Sequence, residues 1–255
     1  MKELSLSKRM EAVVNMVSPQ SFAIADIGCD HAYVSIALRQ RRMAQKVIAM
    51  DVRKGPLAIA KNNVMQYGLE DTITLRLSDG LEQLQPNEVD TIIIAGMGGL
   101  LMMRILEEGR SVWKEAGKCP AFILQPQSDI DKVRHYLYEN GYFIERECML
   151  IDEGKYYTVI SAKPGRKYDT CMPPEGWIYG MYNLEHRDVV LQQFLEKERN
   201  TLQQIQKNLT DVIVKAAQNE QEVPDKTKLR MEEVEEQLSM NTAAREYYDV
   251  RVESR

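Results

Sequence analysis

The sequence predicts an α/β fold, a doubly wound and mainly parallel sheet, followed by a separate α-helical hairpin. In the first 163 residues, short apolar runs alternate with stretches of helical spacing, which is typical of such a sheet. From residue 164 on, a proline-rich stretch leads into an apolar seam at three- and four-residue steps, which is typical of paired helices. A chain of 255 residues that is 44% hydrophobic allows one large or two unequal domains. We therefore expect domains at 1–163 and 164–255.

Seven strands are expected in the first domain, and the most apolar of them belongs at the centre of the sheet. They are expected at 21–27, 46–51, 71–77, 89–95, 121–124, 142–151 and 156–162. The run at 89–95 is the most apolar, and the last two strands form a closing antiparallel pair. Helices are expected at the amino terminus and at 31–43, 56–67, 100–108 and 130–139.

The second domain is expected to form two antiparallel helices after a linker. The seam residues are Leu195, Leu202, Ile205, Leu209, Val212 and Ala216 in the first helix, and Met231, Val234 and Leu238 in the second. Pro224 suits the start of the second helix. The pattern leaves open whether the helices close on each other, on the first domain or on another subunit, so a monomer and a homodimer are both open.

Composition argues against several classes of protein. The net charge of −5 argues against a polybasic nucleic-acid binder but allows a local basic patch. No apolar run approaches the roughly 18–20 residues that cross a bilayer, so no membrane partner is expected. The four cysteines lack metal-ligand spacing, so neither a metal site nor a disulfide framework is expected. A reducing cytoplasm fits this pattern best.

Acidic residues at the ends of three successive strands indicate a cofactor site. Asp26 ends the first strand, Asp51 ends the second, and Asp79 follows the third. Ligands of doubly wound sheets bind at this edge, where a carboxylate after the second strand can accept two ribose hydroxyls. The first turn has Gly28 but not the three glycines of a pyrophosphate cradle, which disfavours NAD and FAD. An acidic pocket suits the sulfonium and amino group of S-adenosylmethionine.

Two further strand ends carry unusual side chains. The fourth strand ends in AGMGG at 95–99, and three glycines in four positions imply a close backbone approach or positive φ. The fifth strand ends in Gln125-Pro126-Gln127, whose amides are suited to the edge of a base. Both segments are also typical of ordinary turns or helix starts that have no functional role.

These motifs together resemble the bacterial tRNA (adenine-N1)-methyltransferase family that acts on adenine 22 of tRNA. The resemblance rests on DIGCDHAY at 26–33, AGMGG at 95–99, LQPQ at 124–127 and DEGKYY at 152–157, and it covers about 1–163 closely. It implies a Rossmann-like class I methyltransferase sheet that binds S-adenosylmethionine, a C-terminal α-helical coiled-coil domain and a tRNA partner.

The resemblance also implies roles for individual residues. Those matching the cofactor motifs are Asp26, Gly28, Asp30, Asp51, Asp79, Gly80, Gly96, Met97 and Gly98. Gln125 and Pro126 match the segment near the target base, and Gln127 stands where an asparagine is expected. The C-terminal region matches weakly, so no tRNA contact is carried over there.

For catalysis we expect positioning and charge stabilisation rather than a strong base, because N1 of adenine has a free lone pair. Asp30 is the best placed carboxylate to stabilise the positive charge that the methylated ring gains. His31 would orient Asp30 or contact RNA, and Gln125 would contact the base. Tyr33 would stack on a base or simply pack.

A local basic excess is the candidate phosphate surface. Residues 39–61 contain seven basic residues and only one acidic residue, Asp51. Arg53 and Lys54 lie on the cofactor side, and Lys8 and Arg9 extend the patch. A solvated helix face would give the same pattern. Two other functions remain open, a methyltransferase of another RNA or a small molecule, and a non-catalytic, cofactor-sensing RNA-binding module.

Overall fold

The chain folds into two compact units. The computed structural model describes residues 4–165 and 172–249, without the side chains of Glu115 and Ala116. The first unit is Met1–Cys171 and the second is Met172–Arg255. The boundary expected from the sequence lies between residues 163 and 164, directly before the end of the last strand at Pro164.

The first unit is built on one seven-stranded sheet. Its strands are β1 Ala23–Ile27, β2 Lys46–Asp51, β3 Ile73–Leu77, β4 Thr91–Met97, β5 Ala121–Pro126, β6 Tyr142–Asp152 and β7 Lys155–Pro164. The strand order is β3-β2-β1-β4-β5-β7-β6. The first five strands are parallel, whereas β7 pairs antiparallel with both β5 and β6. The predicted doubly wound sheet with a closing antiparallel pair is confirmed.

Helices cover both faces of this sheet. They are α1 Lys8–Met16, α2 Tyr33–Gln40, α3 Lys54–Gln66, α4 Gly99–Glu108, α5 Arg110–Ala116 and α6 Ile130–Glu139. Helix α5 was not expected from the sequence as an element separate from α4. In β4, Ile93 packs into the apolar cluster on one face, and Ile92 and Ile94 pack into the cluster on the other. Because both faces are buried, the strand is a continuous apolar run rather than an alternating one.

The strand order reverses beside β1, which lies between β2 and β4. Ligand sites of open α/β sheets lie at such a switch point, outside the carboxyl ends of the strands. All five parallel strands end at this edge, so the loops that follow them meet there.

The second unit consists of helices. They are α7 Pro174–Tyr179, α8 Met181–Glu185, α9 Val189–Gln218 and α10 Asp225–Asp249. Asp188 caps α9, because its Oδ1 accepts the main-chain N–H groups of Val190 and Leu191. The predicted pair of long helices is present, and α9 and α10 pack on each other, which is one of the three arrangements that the sequence left open. The placement of Val212 in the seam was wrong, because its side chain is 47% exposed.

A polar residue lies in the core of this hairpin. Asn241 of α10 is fully buried, and its Nδ2 donates to the main-chain oxygen of Leu195 and to Oε2 of Glu198, both at 2.9 Å. The Tyr179 hydroxyl donates to the same Glu198 oxygen at 2.6 Å. Burial raises the pKa of Tyr179, so the hydroxyl stays a donor. The seam predicted from apolar residues alone did not include this contact.

Within the described residues, none of the helices is long and apolar enough to span a membrane. Cys29, Cys119 and Cys148 are not joined by disulfide bonds, and Cys171 lies outside the described residues.

Candidate functional site

A cleft of about 580 Å³ opens at the carboxyl edge of the sheet in the first unit. Its walls come from the segments after β1, β2, β3, β4 and β5, together with α1 and α4. The volume lies within the range of about 300–1,000 Å³ that is typical of small-molecule sites. The cleft is therefore the place to test each site residue expected from the sequence.

The first turn brings a buried acid and a glycine to the floor of the cleft. Asp26 is 4% exposed, and its Oδ2 accepts a hydrogen bond from the Ser35 hydroxyl at 2.6 Å. Burial raises the pKa of Asp26 to about 6. Gly28 has φ 70°, and a Cβ added there would lie 2.2 Å from Cε of Met97. The left-handed backbone conformation favours glycine in this turn, and a Cβ there would displace the terminal methyl group of Met97.

Asp51 holds the second turn together. Its carboxylate is buried, with Oδ1 accepting the N–H of Arg53 at 2.8 Å and Oδ2 accepting the N–H of Asp30 at 3.3 Å. The same side chain therefore fixes the loops after β1 and β2. One face of the carboxylate remains on the cleft wall, where it can accept hydroxyl groups.

The third turn is shaped by a residue that the sequence analysis missed. Asp79 and Gly80 line the cleft as expected, with Asp79 exposed and Gly80 at φ 51°. The buried Ser78 donates from its hydroxyl to the carbonyl of Gly80 at 3.0 Å and accepts the N–H of Gln83 at 3.2 Å. A serine before Asp-Gly is a common turn signal, which would have indicated it.

The fourth and fifth turns are joined to each other. Gly96 and Met97 line the cleft, whereas Gly98 does not. The N–H of Gly96 donates to Oε1 of Gln125 at 3.2 Å, and Nε2 of Gln125 donates to the carbonyl of Pro126 at 3.1 Å. Gln125 lines the cleft, although it is 0% exposed. Pro126 is buried and does not line the cleft. The exposed Gln127 is the amide that faces the open cleft.

The expected catalytic group at the first turn lies at the mouth of the cleft. The Asp30 side chain is 59% exposed, with Oδ1 3.8 Å from Nε2 of His31 and 3.9 Å from Nη2 of Arg53. These distances are ion-pair separations and too long for hydrogen bonds. The Tyr33 ring packs edge-on against His31 at 5.8 Å and lines the cleft. The structure therefore brings all four side chains to one rim.

Arg9 of α1 also lines the cleft. Its guanidinium lies 5.3 Å above the ring of Tyr157, and its main-chain N–H donates to Oδ2 of Asp152 at 3.2 Å. A Cβ added at Gly96 would lie 3.7 Å from Nη1 of Arg9 and 3.9 Å from Nε2 of Gln127. Arg9 and Gln127 therefore converge on the glycine turn. The DEGKYY segment at 152–157 supplies both contacts that hold Arg9.

Comparison with known proteins gives the family. Residues 6–160 match the family described as Methyltransferase domain. The tRNA (adenine(22)-N(1))-methyltransferase of Bacillus subtilis (strain 168) is 37% identical over 224 residues, which is 87% of this chain and 91% of that protein. The chain belongs to the tRNA (adenine(22)-N1)-methyltransferase family. The resemblance inferred from the motifs is confirmed.

Solved structures of similar proteins agree with the fold of this methyltransferase. The crystal structure of the B. subtilis m1A22 tRNA methyltransferase TrmK has a TM-score of 0.79 and 29% identity, and it covers 95% of this chain and 99% of that chain. Streptococcus pneumoniae Sp1610 in complex with S-adenosyl-L-methionine has a TM-score of 0.77 and 28% identity, with coverages of 94% and 99%. The predicted Rossmann-like class I methyltransferase fold with a C-terminal helical domain is confirmed.

The basic patch of this methyltransferase is smaller than the sequence count indicates. Arg39 donates to the carbonyl of Ala44, and Arg41 forms an ion pair with Glu11 at 2.6 Å. Lys8 and Lys54 are exposed but do not line the cleft. Arg53 lines it, and so does Arg104 of α4, which the sequence analysis missed because its helical phase relative to the cleft was unknown.

The cleft of this methyltransferase fits a cationic cofactor. Two buried carboxylates, Asp26 and Asp51, lie at its floor, whereas Arg9, Arg53 and Arg104 lie on its walls and mouth. The carboxylates favour a sulfonium and an ammonium group, and the glycine turns allow close approach to the backbone. The described residues contain no cluster of three or more His, Cys, Asp or Glu side chains that would hold a metal.

Proposed function

We propose that this protein transfers a methyl group from S-adenosylmethionine to N1 of adenine 22 in tRNA. The observation that carries the proposal is the charge arrangement of the cleft, in which buried carboxylates lie beneath a rim of arginines. A cationic cofactor and an anionic substrate require this arrangement together. The family relationship, which extends over most of the chain, selects the reaction.

The acidic floor would hold the cofactor, which when bound supplies a methyl group activated by its sulfonium. Asp51 is placed to accept the ribose hydroxyls, because the loop hydrogen bonds fix the orientation of its carboxylate. Asp26 would face the cationic end of the cofactor, and Asp79 with Gly80 would lie beside its adenine ring. Each of these residues binds and orients, and none needs to move a proton.

The rim residue Asp30 is the candidate for charge stabilisation during transfer. The adenine ring becomes positively charged when N1 is methylated, and a nearby carboxylate lowers the energy of that charge. Asp30 lies near the guanidinium of Arg53, so its charge is partly balanced before the substrate arrives. A carboxylate this exposed contributes modestly, and most of the rate enhancement would come from alignment of the two reactants.

The tRNA would bind across the arginine rim. N1 of adenine takes part in base pairing, so the target base must be unpaired or turned out of its stack, at a cost of a few kcal/mol. Phosphate contacts from Arg9, Arg53 and Arg104 would offset that cost, and Gln127 would meet the edge of the base. A tRNA substrate also implies that the enzyme works in the cytoplasm.

For the helical unit we propose a supporting role rather than a main phosphate surface. Four glutamates of α10 are exposed, namely Glu232, Glu233, Glu235 and Glu236. A surface of this charge repels phosphates and therefore contributes little to RNA affinity.

The experiment is methyl transfer from labelled S-adenosylmethionine to an unmodified tRNA transcript, followed by mass spectrometry of the nucleosides. We expect 1-methyladenosine, and we expect it to disappear when adenine 22 is replaced by guanine in the transcript. A product on another nucleotide or another RNA would change the substrate. No transfer to any tRNA that contains adenine 22 would refute the proposal.

A further inference from the structure

The pairing of β4 with β5 contains a bulge at the cleft. Ala95 is opposite Gln125 and Met97 is opposite Pro126, so Gly96 is one extra residue without a partner in the ladder. Its φ of 78° is the left-handed conformation that a glycine bulge adopts. The bulge turns the end of β4 and places Met97 on the cleft wall.

A bulge opposite a proline leaves two gaps in the hydrogen bonding of this strand pair. Pro126 has no N–H to donate to the ladder, and the extra Gly96 takes its own N–H out of the regular pattern. Gly96 is an exposed residue whose N–H lies in a part-buried hydrogen bond, so pairing this N–H fixes the end of the strand rather than satisfying a fully buried group. The main-chain N–H of Gln127 satisfies the Met97 carbonyl at 2.9 Å, which leaves the N–H of Gly96 to be paired.

The side chain of Gln125 supplies that partner. Its Oε1 accepts the N–H of Gly96 at 3.2 Å, and its Nε2 donates to the carbonyl of Pro126 at 3.1 Å. The main-chain groups have fixed roles as donor and acceptor, so only one orientation of the amide satisfies both. The side chain is 0% exposed, which leaves it no open face toward a large substrate.

The bulge also touches the first turn of the cleft. The methyl group of Met97 lies against Gly28, where an added Cβ would be only 2.2 Å away. Gln125 holds Gly96, Gly96 directs Met97, and Met97 packs on the turn that follows Asp26. A change at Gln125 would therefore reach the floor of the cofactor site.

We propose that Gln125 is a positioning residue, whose amide replaces the missing ladder bond at Gly96 and thereby fixes the wall of the cofactor site. The edge of the target base is then contacted by Gln127, the exposed amide two residues later. The proposal rests on the proposed function for the identity of the substrate. Its structural core concerns the cofactor site alone.

The test compares the same substitution at the two glutamines. Gln125→Met keeps the size of the side chain and removes both hydrogen bonds. We expect the dissociation constant of S-adenosylhomocysteine, measured by calorimetry, to rise about tenfold, as for the loss of one to two buried hydrogen bonds. We expect kcat to fall, the KM for tRNA to stay within about twofold, and deuterium exchange of peptides spanning 92–99 to accelerate.

Gln127→Met is the matched control. We expect it to raise the KM for tRNA and to leave both S-adenosylhomocysteine binding and exchange at 92–99 unchanged. The proposal is wrong if Gln125→Met gives this same pattern, because Gln125 would then act on the substrate directly. If the wild-type chain methylates no tRNA, the proposed function fails, and binding and exchange still decide the role of Gln125.

A measurement on the wild-type chain covers the case in which Gln125→Met does not fold. In a sample labelled with carbonyl-¹³C alanine and ¹⁵N glycine, NMR can select the glycine amides that directly follow an alanine. These are the amides of Gly96 and Gly117. A Gly117→Asn variant identifies the second signal. We expect the Gly96 amide to exchange more slowly than a free amide. Exchange at the free rate would overturn the hydrogen bond and the proposal with it.

Discussion

The two halves of the cleft differ in charge and in how they are built. The acidic half lies at the ends of β1, β2 and β3, where Asp26 accepts a hydrogen bond from a hydroxyl, Asp51 accepts two from loop N–H groups, and Asp79 is exposed. The amide half, at the ends of β4 and β5, has Gln125 and Gln127 with Arg9 above them. The difference shows how an acidic protein can bind a cation and a polyanion side by side. The cofactor would meet the acidic half, and the tRNA would meet the amide half together with Arg53 at the mouth of the acidic half.

The strongest test of the acidic half is Asp51→Asn. Two charge-assisted hydrogen bonds to ribose would be lost or weakened, and we expect S-adenosylmethionine to bind about 100- to 1,000-fold less tightly. Calorimetry measures this directly.

The matched control for Asp51→Asn is Asp90→Asn, at the opposite edge of the sheet. Oδ2 of Asp90 accepts the N–H groups of Phe22 and Ala23 at 2.7 and 3.1 Å. The same chemical change there lowers stability without touching the cleft. Equal losses of cofactor binding in both variants would mean that Asp51 acts only through the stability of the fold.

The second prediction concerns pH and Asp26. Its folded pKa of about 6 lies above the ordinary value of 3.8, so the neutral carboxyl stabilises the fold at low pH, and this contribution is lost as pH rises through about 6. Without cofactor, ionisation of Asp26 should lower the free energy of unfolding by roughly 2–3 kcal/mol between pH 4 and 8. Urea unfolding at several pH values measures this.

Asp26→Asn removes the pH dependence of stability and weakens the binding of the cofactor. We expect the variant to be more stable than the wild type at pH 8 and to bind S-adenosylmethionine less tightly there. In the wild type, affinity should rise as Asp26 ionises, because the charged form attracts the cation. A variant with the pH dependence of the wild type would contradict the assignment of this pKa to Asp26.

The third prediction tests the amide half through Arg9→Ala. Loss of one phosphate contact should raise the KM for tRNA about tenfold and make the salt dependence of binding shallower, with a log–log slope smaller by about one. The affinity for S-adenosylmethionine should not change. Arg110→Ala is the control, since Arg110 pairs with Glu107 and does not line the cleft. A similar KM for tRNA in both variants would show that Arg9 does not contact the tRNA.

The smallest expected effect is at Tyr157, which lies under the Arg9 guanidinium. A cation–π contact at a half-exposed site contributes about 0.5–1 kcal/mol, so Tyr157→Leu should raise the KM for tRNA about two- to fivefold. Tyr157→Phe keeps the ring and should behave like the wild type. In a double-mutant cycle with Arg9→Ala, the effect of Tyr157→Leu should vanish. Additive effects would show that Tyr157 acts independently of Arg9.

The acidic half could be predicted from the sequence because it depends only on strand ends. Parallel strands with right-handed crossovers end at one edge, so an acid after each strand reaches the same cleft. Asp26, Asp51 and Asp79 all line it. The sheet itself followed from apolar runs whose length and spacing are local properties.

The amide half was less predictable because its geometry depends on pairing between distant segments. The use of Gln125 is set by a bulge 29 residues earlier, and three glycines in a row of five show flexibility but not which of them is the extra residue. Arg104 required the rotation of α4 about its axis, which apolar spacing gives only approximately. Asn241 was missed for a related reason, because a seam defined by apolar residues skips a buried amide.

The contact of Asn241 with α9 limits how the hairpin can change during evolution. The acceptor is the main-chain oxygen of residue 195, which every amino acid provides, so the side chain there can vary without loss of the bond. An inserted residue in the turn at 219–224 leaves the bond in place. An insertion between 195 and 218 rotates that oxygen by about 100° relative to the turn. We therefore expect length differences among relatives in the turn, and substitutions along the helices.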